Sequence, residues 1–252
     1  MPLDQQRTMI ELPQLKIREF DLTLVGDTPL ICHAWSRKAR EAILSKQTKK
    51  ASAGREKREP ERDFVESLYP MPGTGDDELH LGPPTKSSPG GGLHIRAGFL
   101  KGGAWGFPVI AFKAAAVTAC TSIADITKVA ARQAFHVHGD ARTNYVGNTP
   151  FSGEFVRLQG ADPRMREDMV RIGMGTADIR FRGEFWPWWT RIKIRLNENV
   201  MSPEQIANLL NTAGFGVGIG EWRSERDGMH GLFHVGDEEE IKKLEKRIKQ
   251  SS

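Results

Sequence analysis

Gly214-Phe215-Gly216-Val217-Gly218-Ile219-Gly220-Glu221-Trp222-Arg223, followed by Gly228-Met229-His230-Gly231-Leu232-Phe233-His234-Val235, is the stretch on which the reading of this chain turns. Four glycines alternate with apolar residues, then a Trp-Arg pair precedes a second glycine-flanked apolar strand. Alternate glycines let another backbone or a flat ligand approach closely and permit dihedrals that side chains forbid. An aromatic beside a guanidinium suits nucleobases and phosphates. A glycine-rich hairpin with no ligand is the other reading, because such glycines also relieve crowding.

Nucleotide-binding loops of known spacing do not fit. A phosphate-binding P-loop needs Lys and then Ser or Thr after its second glycine, and neither is present. The dinucleotide fingerprint needs a glycine at its sixth position, where this stretch has Ile219 or Glu221. It also opens a helix, whereas here the helix comes first. That helix is marked by Ser202-Pro203-Glu204-Gln205, with Ser202 as cap, Pro203 in the first position and Gln205 closing a capping box. Ile206, Leu209 and Leu210 form its apolar stripe, and Gly214 is its expected stop.

Before the helix, Thr190–Leu196 alternates cleanly. Ile192, Ile194 and Leu196 fall on one side, and Arg191, Lys193 and Arg195 on the other. This strand, the helix, the glycine loop and a last strand at Leu232–Val235 make a β-α-β-like half. Residues 237–250 read as a tail helix, acidic first and basic last, as the helix dipole favours.

The N-terminal part reads less regularly. Residues 16–25 alternate as a half-buried strand, Gly26-Asp27-Thr28-Pro29 is a turn, and Leu30–Trp35 is a short apolar continuation. Ser36 caps a helix running through Arg40 and Leu44. Lys46 to Arg62 is too polar to pack, and residues 69–93, with five prolines and the Gly90-Gly91-Gly92 triplet, read as loop. Pro108 fits the first position of a small-residue helix that carries Lys113 and ends near Ser122. Strands are expected at 132–138, 154–158 and 178–182. Trp186, Trp188 and Trp189 suit core or interface packing.

The 252 residues carry a formal net charge of +4, unevenly spread. Between Arg37 and Arg62 stand ten Lys or Arg against four Glu, the footprint of a polyanion or else a solvated loop. No run of eighteen apolar residues occurs, so no membrane span is expected. Cys32 and Cys120, both among apolar residues, fit a reducing cytoplasm better than a disulfide scaffold.

Catalytic patterns are incomplete. His136-Val137-His138-Gly139-Asp140 begins a His-x-His-x-Asp-His metal motif, but position 141 is Ala. No Gly-x-Ser-x-Gly elbow occurs, and neither cysteine has a local reason to ionise. His33, His230 and His234 remain candidates for a general base in RNA cleavage.

The glycine loop, with Gly228 and Gly231 beyond Trp222-Arg223, resembles that of the RAMP superfamily, whose CRISPR members bind guide RNA. The opening strand and turn, Phe20 to Leu30, resemble that family's first strand. Gly106-Phe107-Pro108-Val109-Ile110-Ala111-Phe112-Lys113 is similar to its segment in which a proline precedes a lysine-bearing helix near RNA. One departure is that Ile110-Ala111-Phe112 stands where the family carries Gly-Ser or Ala-Ser before the lysine. The chain also resembles phage and prophage proteins. The resemblance implies a ferredoxin-like (RRM-like) core with inserted loops. With the two loose segments read as long excursions from one core and the tail helix at the C-terminus, the expected fold is α+β in a single domain spanning 1–252.

The expected function is non-catalytic binding of single-stranded nucleic acid, RNA or DNA, by repeated subunits or within a larger ribonucleoprotein. No cofactor or metal is expected. Phosphates would meet Arg37, Lys38, Arg40, Lys46, Lys49, Lys50, Arg55, Lys57, Arg58, Lys113 and Arg223. Gly216, Gly218 and Gly220 would approach the strand by backbone, and Trp222 would stack on a base. The rival readings are a RAMP-type endoribonuclease using a histidine and a phage structural or assembly protein.

Overall fold

The computed structural model describes residues 14–48, 59–71, 79–81, 93–95, 105–123, 126–146, 149–172 and 175–251. In chain order, β1 (Ile17–Gly26) and β2 (Leu30–Cys32) lead into α1 (Arg37–Gln47) and α2 (Pro60–Glu66). A small pair, β3 (Leu79–Leu81) and β4 (Leu93–Ile95), precedes β5 (Trp105–Pro108) and α3 (Val109–Ala119). Then come α4 (Lys128–Ala134), β6 (Phe135–His138), β7 (Ala141–Val146) and β8 (Thr149–Gly160). β9 (Arg164–Ile172), β10 (Thr176–Phe185) and β11 (Trp188–Asn197) follow. The chain closes with α5 (Pro203–Gly216), β12 (Phe233–Val235) and α6 (Glu238–Ser251). The fold is mixed α+β, with antiparallel sheets.

β1 and β11 form the centre of the main sheet, antiparallel from Ile17↔Asn197 to Val25↔Trp189. β12 pairs with the other edge of β1. The far edge of β11 is shared: β6 pairs with its second half, Lys193 to Leu196, and β8 with its first, Trp188 to Thr190. β8 carries the sheet on to β5 and β7. A separate three-stranded sheet runs β2-β10-β9.

The alternation of β11 does what a period of two requires. Ile192, Ile194 and Leu196 are fully buried, and Arg191, Lys193 and Arg195 are exposed. The buried face meets α3 and α5, which pack on each other. Each fully buried Leu, Ile or Phe there contributes about 1.5–3 kcal/mol. α3 joins through small residues, with Ala115, Ala116 and Ala119 buried beside Phe112. The Phe112 and Phe233 rings meet edge to face with centroids 5.8 Å apart.

α5 has the capping box expected of it: Ser202 Oγ accepts from Gln205 N, and the Gln205 side chain accepts from Ser202 N. It passes through Gly214 and ends two residues later, contrary to the expected stop. Gly214 is a spacer here, since a Cβ would overlap the Phe233 carbonyl of β12. The C-cap is Val217, and the left-handed residue that follows it is Gly218, at φ +72°, with its N–H donating to Ala213 O.

Other expectations also shift. Residues 132–134 belong to α4, not to a strand, because Thr127 caps a turn that buries Ala131 and Ala134. Pro108 is the residue before α3 rather than its first, at ψ 125°. The segment through Arg62 is not wholly unpacked: α2 buries Arg62, Phe64, Val65 and Glu66. The cost of burying Arg62 is offset by Glu66 one turn on, at 3.0 Å. Within 69–93, β3 and β4 pair and Met71 is buried, so these parts are not loop. The long hairpin of β9 and β10 was signalled only by 178–182.

Candidate functional site

The glycine loop folds back on its own chain. Ile219 N donates to Gly231 O at 2.9 Å, Glu221 N to Ile31 O at 3.1 Å, and Gly231 N to Pro29 O at 2.8 Å. Gly220 and Gly231, at φ +77° and +66°, sit where a Cβ would strike the Ile31 and Ile219 backbone. Gly218 lies near the His230 and Gly231 carbonyls, and Gly216 faces open space. The close approach made possible by these glycines is therefore intramolecular at Gly218, Gly220 and Gly231.

Trp222 is 39% exposed and holds a left-handed φ of +54°, unusual for a bulky residue. Its carbonyl accepts from His230 N at 2.9 Å, which helps impose that turn. Arg223 spends its guanidinium on the loop: Nη1 donates to Gly220 O at 3.1 Å, and Nη2 to Glu225 at 2.8 Å.

The same turn delivers Glu221 to two distant residues. His33 Nδ1 donates to Glu221 Oε1 at 3.0 Å, and Arg182 Nη2 lies 3.7 Å from Oε2. The hydrogen bond from His33 holds the Glu221 carboxyl below its usual range; burial opposes this and Arg182 assists it. Arg182 Nη1 also donates to Asp168 at 3.3 Å, and Asp168 accepts from Arg166 at 2.7 Å. His33, Arg182 and Glu221 border a cavity of about 610 Å³.

A second feature lies on the face of the main sheet turned away from α3 and α5. Register puts Glu19, Arg195 and His136 in one row across β1, β11 and β6, and Asp21, Lys193 and His138 in the next. Arg191 stands opposite Thr23. At the β6 edge, Lys113 Nζ is 3.4 Å from His136 Nδ1. Burial lowers the Lys113 pKa. The His136 pKa is lowered too, by burial and then by the charges of Lys113, His138 and Arg195. His138 is paired with Glu154 at 3.2 Å.

α6 covers one end of this face. Gly236 lies against Val25, Ile241 is buried, and the helix reaches β8. His234 clips it down, with Nδ1 on Asp27 at 2.7 Å and Nε2 on Glu240 at 2.9 Å. Burial works against the charged imidazole, but the hydrogen bonds to Glu240 and Asp27 outweigh it and raise its pKa. The clip's contribution is therefore complete below about pH 6.5, the unfolded value, and is lost as pH rises through the raised folded value. The melting temperature of the wild-type protein should fall relative to that of His234→Gln over that range. Parallel pH profiles for the two proteins would mean that the clip does not operate.

The expected site residues are not gathered in one place. Lys113 lies at the β6 edge of the sheet, whereas Trp222 and Arg223 lie in the loop that packs beside β2. Arg37, Lys38 and Arg40 fall in the first turns of α1, and Lys46 is exposed in its last turn. Lys49, Lys50, Arg55, Lys57 and Arg58 lie outside the described residues. The cavity escaped the sequence reading because His33 and Glu221 are separated by 188 positions and neither belongs to a local motif. Among the described residues, no group of three or more His, Cys, Asp or Glu is placed to hold a metal ion. No described helix is long and apolar enough to cross a membrane. No family model matches the chain, and no curated protein matches its sequence.

Proposed function

We propose that this chain binds single-stranded nucleic acid without cutting it, as a RAMP-like protein on a ferredoxin-like core. The path β1-α3-β6-β11-α5-β12, with sheet order β12-β1-β11-β6, supports the core assignment. It has two β-α-β halves, all neighbouring strands antiparallel, and both helices on one face. The insertions then hang from the shared edge of β11.

The observation that carries the function is the cation row on the open face. Arg191, Lys193 and Arg195 stand about 6.8 Å apart along one strand, so successive cations can meet successive phosphates. With Lys113 they outnumber Glu19, Asp21 and Glu154. Surface cations with incomplete pairing attract a polyanion and release its counterions on binding. Subunits arrayed along a strand, as a homo-oligomer or in a larger ribonucleoprotein, would extend the track, in a cytoplasmic setting.

The direct test is fluorescence anisotropy of a labelled oligothymidylate and an oligouridylate titrated with purified protein at low salt. Absorbance at 260 and 280 nm would first report any co-purifying polymer. Saturable binding that weakens with salt is expected, with the oligonucleotides recovered intact. Absence of binding would favour a role in protein assembly. Cleavage abolished by His33→Ala or His136→Ala would replace this reading with the endoribonuclease one.

A further inference from the structure

The cavity beside the glycine loop takes no part in the sheet-face reading, and its walls have a chemistry of their own. It lies between the start of α1, α2, β10 and Glu221, and its volume of about 610 Å³ falls in the range of small-molecule sites. Trp35 stands at its border with 58% of its surface exposed, and Phe181 lies on the wall. An indole so exposed beside a concave surface offers a flat stacking platform.

Arg182 is the second element. It is only 5% exposed, with its Nη groups toward Asp168 and Glu221, and its Nε has no hydrogen-bond partner. Nε is enclosed, but a guanidinium carries five N–H donors, so the Nη groups keep protons beyond those two contacts for a further acceptor. The third element is acidic, with Glu221 and Asp63 on the same wall. The first turn of α1, through Ser36 and Ala39, adds the positive end of a helix dipole.

Few ligands want all three. The wall's charges are already paired, Arg180 with Asp178 and Arg182 with Asp168 and Glu221, so the cavity suits a ligand offering both donors and acceptors better than a simple ion. Guanine presents adjacent N1–H and N2–H donors on one edge, which match a carboxylate, and O6 and N7 acceptors, which match a guanidinium. Its fused rings fit an indole face. Its phosphate would be favoured at the α1 terminus.

We infer that this cavity seats one guanine nucleotide, stacked on Trp35 and read by the carboxylates and arginines of the wall. The nucleotide is either free or one residue of a bound strand. The inference does not depend on the sheet face binding anything.

Calorimetric titration of the full chain with guanosine, adenosine and cytidine monophosphates, and with inorganic phosphate, tests it. The guanine nucleotide should saturate, with adenosine and cytidine monophosphates and phosphate weaker by about 5- to 150-fold. Trp35→Ala should weaken the guanine nucleotide by a similar factor, with an unchanged melting temperature. Glu221→Gln should erase the preference for guanine over adenine. Anisotropy with oligothymidylate, with and without one central guanine, separates the sources: tighter binding with the guanine assigns a strand residue, and equal binding assigns the free nucleotide. No saturation in folded protein, equal binding of the three nucleotides, or full binding by folded Trp35→Ala overturns the inference. The all-thymine oligonucleotide reports on the sheet face alone, so the two readings fail separately.

Discussion

Replacing Arg191, Lys193 and Arg195 together by Gln should flatten the salt dependence of single-strand binding by about 2 units in log K against log salt. Each phosphate neutralised on a single strand contributes about 0.7 to that slope, and three cations on one row neutralise up to three. The side chains are exposed, while the inward residues Ile192, Ile194 and Leu196 carry the packing, so the melt should barely move. Glu19 and Asp21 lose cross-strand partners, and exposed pairs of this kind contribute little. An unchanged slope with weakened affinity would mean that the residues act through the fold. Unchanged slope and affinity together would remove the sheet face from the binding surface.

The second large effect concerns glycine. Gly231→Ala should destabilise the protein by about 3 kcal/mol or more, since it forces a side chain into left-handed backbone and drives its Cβ into the Ile219 carbonyl. For a protein of this size that is a fall in melting temperature of roughly 6–12 °C. Gly216→Ala is the internal control. It sits in the last turn of α5 with nothing near its Cβ position, and should gain about 0.5–1 kcal/mol of helix stability. Two glycines of one motif thus respond in opposite directions. Equal, small effects would show that the loop is not closed on its own backbone.

The contrast between these glycines also marks how far the sequence could be read. Local signals are legible in the sequence: the Ser202 box spans four positions, and the alternation of β11 needs only its own residues. Even the Ser36 cap, which accepts from Ala39 N at 3.2 Å, follows from one residue type. Signals fail where the deciding neighbour is far along the chain. Gly214 looks like a helix stop until β12 lies across it. Residues 132–134 look like strand until Ala131 and Ala134 find a core to bury in. The loop's glycines resemble a surface for a ligand, and what they accommodate at Gly220 is the backbone of β2, nearly two hundred residues earlier. The charge network of Arg166, Asp168, Arg182 and Glu221 has no sequence signature, because it is assembled by a hairpin register and a turn.

The central pairing of the sheet has a temporal consequence. β1 is made first, yet its neighbours are β11 at Trp188–Asn197 and β12 at Phe233–Val235. At synthesis rates of about 5–20 residues per second, β1 spends on the order of 10–30 s on the ribosome before its first partner strand exists. Throughout that interval Phe20, Leu22 and Leu24 belong to an unpaired, half-apolar strand, the kind of edge that recruits other chains. Pairings this remote also close slowly. The nascent chain is therefore most open to capture by a chaperone, or by a second copy of itself, before β11 emerges.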